Sequence, residues 1–189
     1  MTHVRRCLLS AAGLALAAAS PLAAQDTAAA PMPSMEEAVP LIEALDARMF
    51  WAAFEGCEPE TVGAILDEDY RMLHDVGGLT IEGRDQFVAG LGQMCAARAQ
   101  GGANEGYRNR RLLVPGSRTI TPLGTWGVLE RAWHTFHEWR GEEHGWVQTG
   151  GAQYWHVWRW VPEEGQFRLA ESLSVDHAPA PAYPPASER

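Results

Sequence analysis

The sequence predicts an α+β fold, with helices packed on one face of a curved antiparallel sheet, and three observations predict it. Helical periodicity is confined to residues 36–98, strand alternation fills residues 107–177, and Pro and Gly punctuate the second stretch at turn positions. The strongest β signal is the last hairpin: Ala152–Trp160, a Pro162-Glu163-Glu164-Gly165 turn, then Phe167–His177.

Before the domain comes a leader. Arg5-Arg6 followed by a Leu- and Ala-rich run to Ala19 has the form of an export signal, with small residues up to Ala24 for cleavage. The apolar run is too short to span about 30 Å of hydrocarbon, so residues 1–24 read as a signal peptide and not as an anchor. A periplasmic or secreted location follows, with no membrane association. Residues 25–34 form an Ala- and Pro-rich linker, residues 35–177 one domain, and residues 178–189 a Pro-rich, flexible tail.

Charge excludes one class of partner. The 15 cations are all Arg, against 24 acids, for a net charge of −9, and Arg5 and Arg6 belong to the leader. A mature chain this acidic has no basic surface for nucleic acid or anionic lipid.

Each element has its own signal. Ser34 and Glu37 form a capping box ahead of a helix running to about Phe54, with Leu41, Ile42, Leu45, Met49 and Ala52 as its apolar stripe and Gly56 as its stop. A short helix covers residues 59–66. Tyr70–Asp75 reads as a strand closed by Gly77-Gly78, and residues 84–98 as a third helix with Phe87, Val88, Leu91, Met94 and Cys95 at helical spacing. Strands follow at 110–114, 118–122, 124–139, 145–160 and 167–177. Cys57 and Cys95 survive processing; in an oxidising compartment they read first as a disulfide, worth about 4 kcal/mol by chain entropy, with two buried free thiols as the alternative.

Alternation along the returning strand assigns Phe167, Leu169, Leu173 and Val175 to the core, and it sets Glu171 and His177 on the same face. If the turn pairs Trp160 with Phe167, a regular register places His156 opposite Glu171; a one-residue change places it beside Ser172.

Taken together these residues resemble a family. Tyr70–Gly78, Cys57 and Cys95, the Ala132–Phe136 strand, Tyr154–Trp158 and Ser174–His177 are similar to the nuclear transport factor 2-like superfamily, also called SnoaL-like or cystatin-like, and within it to an exported bacterial branch of unknown function. The resemblance implies three N-terminal helices in the concave face of a strongly curved, cone-shaped barrel with a cavity at its wide end. It places His74, Phe136, Tyr154, Trp158 and His177 as ligand-binding residues, and His156, His134, Glu171 and Asp176 as the acid–base candidates. Asp75, before a glycine pair, reads first as a turn cap.

The function expected is binding of a small, partly apolar molecule. The alternatives are a cofactor-free lyase or isomerase using a His-carboxylate pair, and an interaction module with a filled cone. No cofactor is implied, and no metal, since the histidines sit on separate strands without a His-Glu-x-x-His or Cys-x-x-Cys pattern. Outward-facing Trp133, Trp139 and Trp155 point to a covered outer face and hence a homodimer.

Overall fold

Ser34 caps the first helix as its sequence predicts: its side chain accepts from Glu37 N, and Glu37 Oε2 accepts from Ser34 N at 3.0 Å. Helix α1 (Met35–Trp51) tolerates Pro40 in its N-terminal half and passes into a π-helical turn (Ala52–Gly56). The chain then forms α2 (Pro59–Ile65), β1 (Leu66–His74), β2 (Gly78–Glu82) and α3 (Arg84–Arg98). The five strands that follow are β3 (Asn109–Leu113), β4 (Thr119–Leu123), β5 (Gly127–Trp139), β6 (Trp146–Val161) and β7 (Gln166–Pro179). This computed structural model describes residues 30–179. The expected leader, most of the linker and the tail beyond Pro179 lie outside the described residues. Strand β2 was not expected, and β7 runs two residues past the domain end read from sequence.

The seven strands form one mixed sheet in the order β2-β1-β7-β6-β5-β3, with β4 also on β5. All pairs are antiparallel except β1 with β7. The sheet is open and not strongly curled, which corrects the cone-shaped barrel. Strand β4 takes one half of the β5 edge (Gly127–Arg131) and β3 the other (His134–Glu138), so no strand continues from there to meet β2.

The stripe of α1 is rotated from the one expected. Its buried residues are Ala38, Ile42, Asp46, Met49 and Phe50, whereas Leu41 is 47 % exposed. They pack with Val62, Leu66, Val128, Ala132, Tyr154 and Trp158 into one core between helices and sheet. A disulfide joins Cys57 to Cys95 with a Cα separation of 5.7 Å, tying the end of the π-helical turn to α3. Trp160 Nε1 donates to Ala30 O at 2.8 Å, so the last described part of the linker is pinned to the hairpin.

On the outer face the aromatics are covered within the chain only in part, and Trp139 and Trp155 stay part-exposed. Trp133 is 9 % exposed, and Trp139 and Trp146 meet edge to face beneath the Arg108 guanidinium. No helix among the described residues is long and apolar enough to cross a membrane.

The hairpin decides the site. Trp160 pairs with Phe167 and Trp158 with Leu169, the expected start of the register, but Val157 then pairs with Glu171. Ala170 is an extra residue, a β-bulge, and it reverses which side chains of β7 face inward. Beyond it Ser172 and Ser174 are buried, while Leu173 and Val175 are only partly so.

Candidate functional site

The bulge overturns the pairing of His156 with Glu171. Glu171 leaves the inner face and pairs with Arg71 of β1 at 2.6 Å, and His156 stands opposite Ser172. The carboxylates beside His156 come from elsewhere. Asp46 projects from the buried stripe of α1 and Glu130 from the inner face of β5, and His156 Nδ1 lies 3.2 Å from Asp46 Oδ1 and 3.7 Å from Glu130 Oε2. All three side chains are at most 2 % exposed.

This buried cluster carries its own counter-charge. Arg118 reaches Asp46 Oδ2 at 2.5 Å and Glu130 Oε1 at 2.8 Å. Tyr154 donates to Asp46 Oδ2 at 3.1 Å, and Trp158 Nε1 donates to Glu130 Oε2 at 2.8 Å. Trp158 therefore works as a core donor holding Glu130, and does not line the cavity. Burial disfavours the imidazolium of His156, but the flanking carboxylates of Asp46 and Glu130 outweigh it, so its pKa is raised. Burial, then the same two carboxylates, raises the Tyr154 phenol and keeps it neutral.

His134 sits in a different environment. Arg111 of β3 lies across from it, with Nε 2.9 Å from His134 Nδ1, and the guanidinium covers the Phe50 ring at 4.3 Å. Burial first and the Arg111 charge second push the His134 pKa well below its ordinary value, which leaves the ring neutral. Among the described residues no carboxylate makes an ion pair with Arg111. Burial lowers its pKa to about 10, with Tyr154, Asp46 and Tyr70 acting the other way.

Between these groups and the helices lies an inner cavity of about 80 Å³. Its apolar wall is formed by Met49, Phe50, Phe54, Met72 and Phe87, and its polar wall by Arg111, Tyr154, His156, Ser172 and Ser174. A groove of about 600 Å³ between α3 and β2 shares Ala53, Phe54 and Phe87 with it.

The remaining expected residues gather at one edge. His74 and His177 stack at 4.1 Å between ring centroids, Phe136 stacks on His177 at 5.8 Å, and Asp75 lies beside both histidines. Asp75 is thus more than a turn cap. Asp176 is exposed, in a left-handed conformation (φ 57°), and contacts neither His134 nor His156. Arg111 on the cavity wall, and Asp46 and Glu130 beside His156, are site residues that sequence reading missed. Asp46 had a signal, an acid three residues before Met49 and four after Ile42, and so did Glu130, an acid alternating with Val128 and Ala132.

No family model matches the chain, and no curated protein does. Solved structures do. A protein of unknown function from Mycobacterium tuberculosis, Rv3472(D26N), is 18 % identical over 72 % of this chain and 70 % of its own, with a TM-score of 0.56. An NTF2-like protein with a cystatin-like fold from Novosphingobium aromaticivorans is 18 % identical over 82 % of this chain and 88 % of its own, at 0.57. A Catenulispora acidiphila protein in complex with S-DNPA is 13 % identical over 74 % of this chain and 94 % of its own, also at 0.57. At these identities the likeness shows architecture: the chain has the nuclear transport factor 2-like, cystatin-like fold.

Proposed function

We propose that this is an exported domain that binds a small, partly apolar molecule in the inner cavity. One observation carries the reading: an apolar wall of Met49, Phe50, Phe54, Met72 and Phe87 faces a polar wall that includes the guanidinium of Arg111, with which no carboxylate among the described residues makes an ion pair. Ligand sites are built this way, with apolar lining and a few convergent polar groups. A buried cation without a contacting counter-charge favours a ligand with an anionic or strongly electron-rich end. The Catenulispora protein in complex with S-DNPA shows that a chain of this fold takes a small molecule. The cavity is smaller than the roughly 300–1,000 Å³ of drug-sized sites, so the ligand is compact or extends past Phe54 and Phe87 into the adjoining groove.

Native mass spectrometry of the protein purified from its own host tests this. A co-purifying small molecule that is lost in Ser174→Leu, which fills the cavity from β7, is the expected result. An empty wild-type protein that also fails to bind a panel of compact carboxylates would overturn it.

A second reading is favoured by the 3.2 Å approach of His156 to Asp46. An imidazole oriented by a carboxylate at a cavity wall is equipped to move a proton on the bound molecule, as a cofactor-free lyase or isomerase does. Once the ligand is known, exchange of its protons with deuterated water, abolished by His156→Gln without loss of binding, separates the enzyme from the binder. A two-fold dimer through the outer sheet face is also proposed, supported by the part-exposed Trp139 and Trp155; sedimentation velocity giving a monomer at micromolar concentration would end that proposal.

A further inference from the structure

We propose that His74, Asp75 and His177 form a binding site for one divalent transition-metal ion of the zinc type. The three residues come from two strands that meet only in the fold: β1 ends at His74 and runs parallel to β7, with His74 in register with Ser174. Asp75 N donates to Ser174 O at 3.0 Å and extends that ladder by one residue. On β7 the left-handed conformation of Asp176 breaks the strand alternation and returns His177 to the side of Ser174. Such a conformation is uncommon for a residue with a side chain, and here it aims an imidazole at a carboxylate.

Distances bring the three within reach of one ion, with the 2.7 Å hydrogen-bonded pair having to open by a few tenths of an ångström. Asp75 Oδ1 lies 2.7 Å from His177 Nδ1 and 3.2 Å from His74 Nδ1, and a ligand atom from each of the three falls within 4.8 Å of the other two. Zinc ligands at about 2.0–2.2 Å from the metal stand about 3–3.5 Å from one another in a tetrahedral shell.

The hydrogen bonds of the cluster are ones that a cation can replace. Val76 N donates to His74 Nδ1 at 3.2 Å, so that nitrogen is the unprotonated one, and it stands 3.2 Å from Asp75 Oδ1. His177 is positioned for the same task. Its Nε2 is 3.3 Å from Ser174 Oγ, its backbone N donates to Asp75 Oδ2 at 3.2 Å, and its Nδ1 shares a hydrogen bond with Asp75 Oδ1 at 2.7 Å, the contact that a metal bound to both atoms would replace, with release of the shared proton. Outer contacts of this kind commonly orient metal ligands. The near-parallel rings, 19° apart, converge on one ion by rotation of His74, whose side chain is 25 % exposed and has space to turn. In doing so it exchanges the Val76 contact for the metal.

Donor chemistry selects the ion class. Two imidazoles and one carboxylate suit zinc and its borderline neighbours, whereas calcium and magnesium take oxygen shells. The other cluster of comparable make-up, Asp46, Glu130 and His156, is closed to solvent and already neutralised by Arg118, so a cation there would meet a guanidinium. Among the described residues the open cluster has no Arg in its ion pairs, and it shares Ser174 with the wall of the inner cavity, which puts an ion with free coordination positions next to that cavity.

The test is isothermal titration of zinc chloride into the tag-free, chelator-stripped, disulfide-intact mature protein. One saturable site per chain with a micromolar or tighter Kd is expected. It should weaken at least tenfold in both His74→Gln and His177→Gln, and stay unchanged in His144→Ala, an exposed histidine outside the cluster, and in excess magnesium. Circular dichroism checks that each variant folds; should His177→Gln unfold, His74→Gln, at the exposed end of β1, decides alone. Absence of saturable binding, equal binding by the folded cluster variants, or displacement by calcium would each overturn the proposal.

Discussion

The imidazole of His156 and the carboxylate of Asp46 meet at 3.2 Å, one from the centre of the sheet and the other from the buried stripe of α1. Their contact joins helix layer to sheet at the cavity wall, and Arg118, Glu130 and Tyr154 complete the network around it.

Stability should therefore fall with rising pH in a way that His156 controls. Its folded-state pKa is raised above the unfolded value of about 6.5. The imidazolium then contributes stability that is complete below the unfolded value and is lost as pH climbs through the folded one. Urea unfolding across pH 5.5 to 9 should show this slope in wild type and its reduction in His156→Gln. Because the depressed pKa of His134 works the other way below about 6.5, the range above it decides, and an equal slope there in His156→Gln would refute the prediction.

Removing Asp46 should be costly. Asp46→Ala takes from His156 one of its two carboxylates and from Arg118 one of its three, Glu43 being the third at 3.6 Å, and breaking a buried pair from one side costs about 3–5 kcal/mol. Denaturant melts of wild type and variant measure it; a loss below about 1 kcal/mol would show that the network does not hold helix to sheet.

Glu171→Gln separates the bulged register from the regular one. As placed, Glu171 makes a solvent-exposed pair with Arg71, of a kind that contributes little. The unfolding midpoint should be unchanged, and the His156 imidazole signals in NMR should not move. A shift of those signals would put the carboxylate back beside His156.

Breaking Cys57–Cys95 should lower stability by about 2–5 kcal/mol, as in other small domains. Melting the protein with and without reductant, and in the double Cys→Ala variant, measures it. Because the bridge ties the π-helical turn to α3, ligand affinity should weaken along with stability, since Ala53 and Phe54 in that turn line the cavity.

Sequence alone determined what depends on near neighbours. The capping box of Ser34 and Glu37, the helical spacing, the turn residues and the α+β order all rest on contacts a few residues long, and each is found where its pattern stands. The pairing of the two cysteines rests on compartment chemistry and needed no geometry. Tertiary structure decided the faces. Ala170 carries no local mark of a bulge, yet the extra residue reverses β7 beyond it, moving Glu171 to the surface and Ser172 and Ser174 to the cavity. The same holds for Asp46. An acid on an apolar stripe is allowed there only because Arg118, Tyr154 and His156 reach it from segments far along the chain, and no local pattern records which distant groups will neutralise a buried charge.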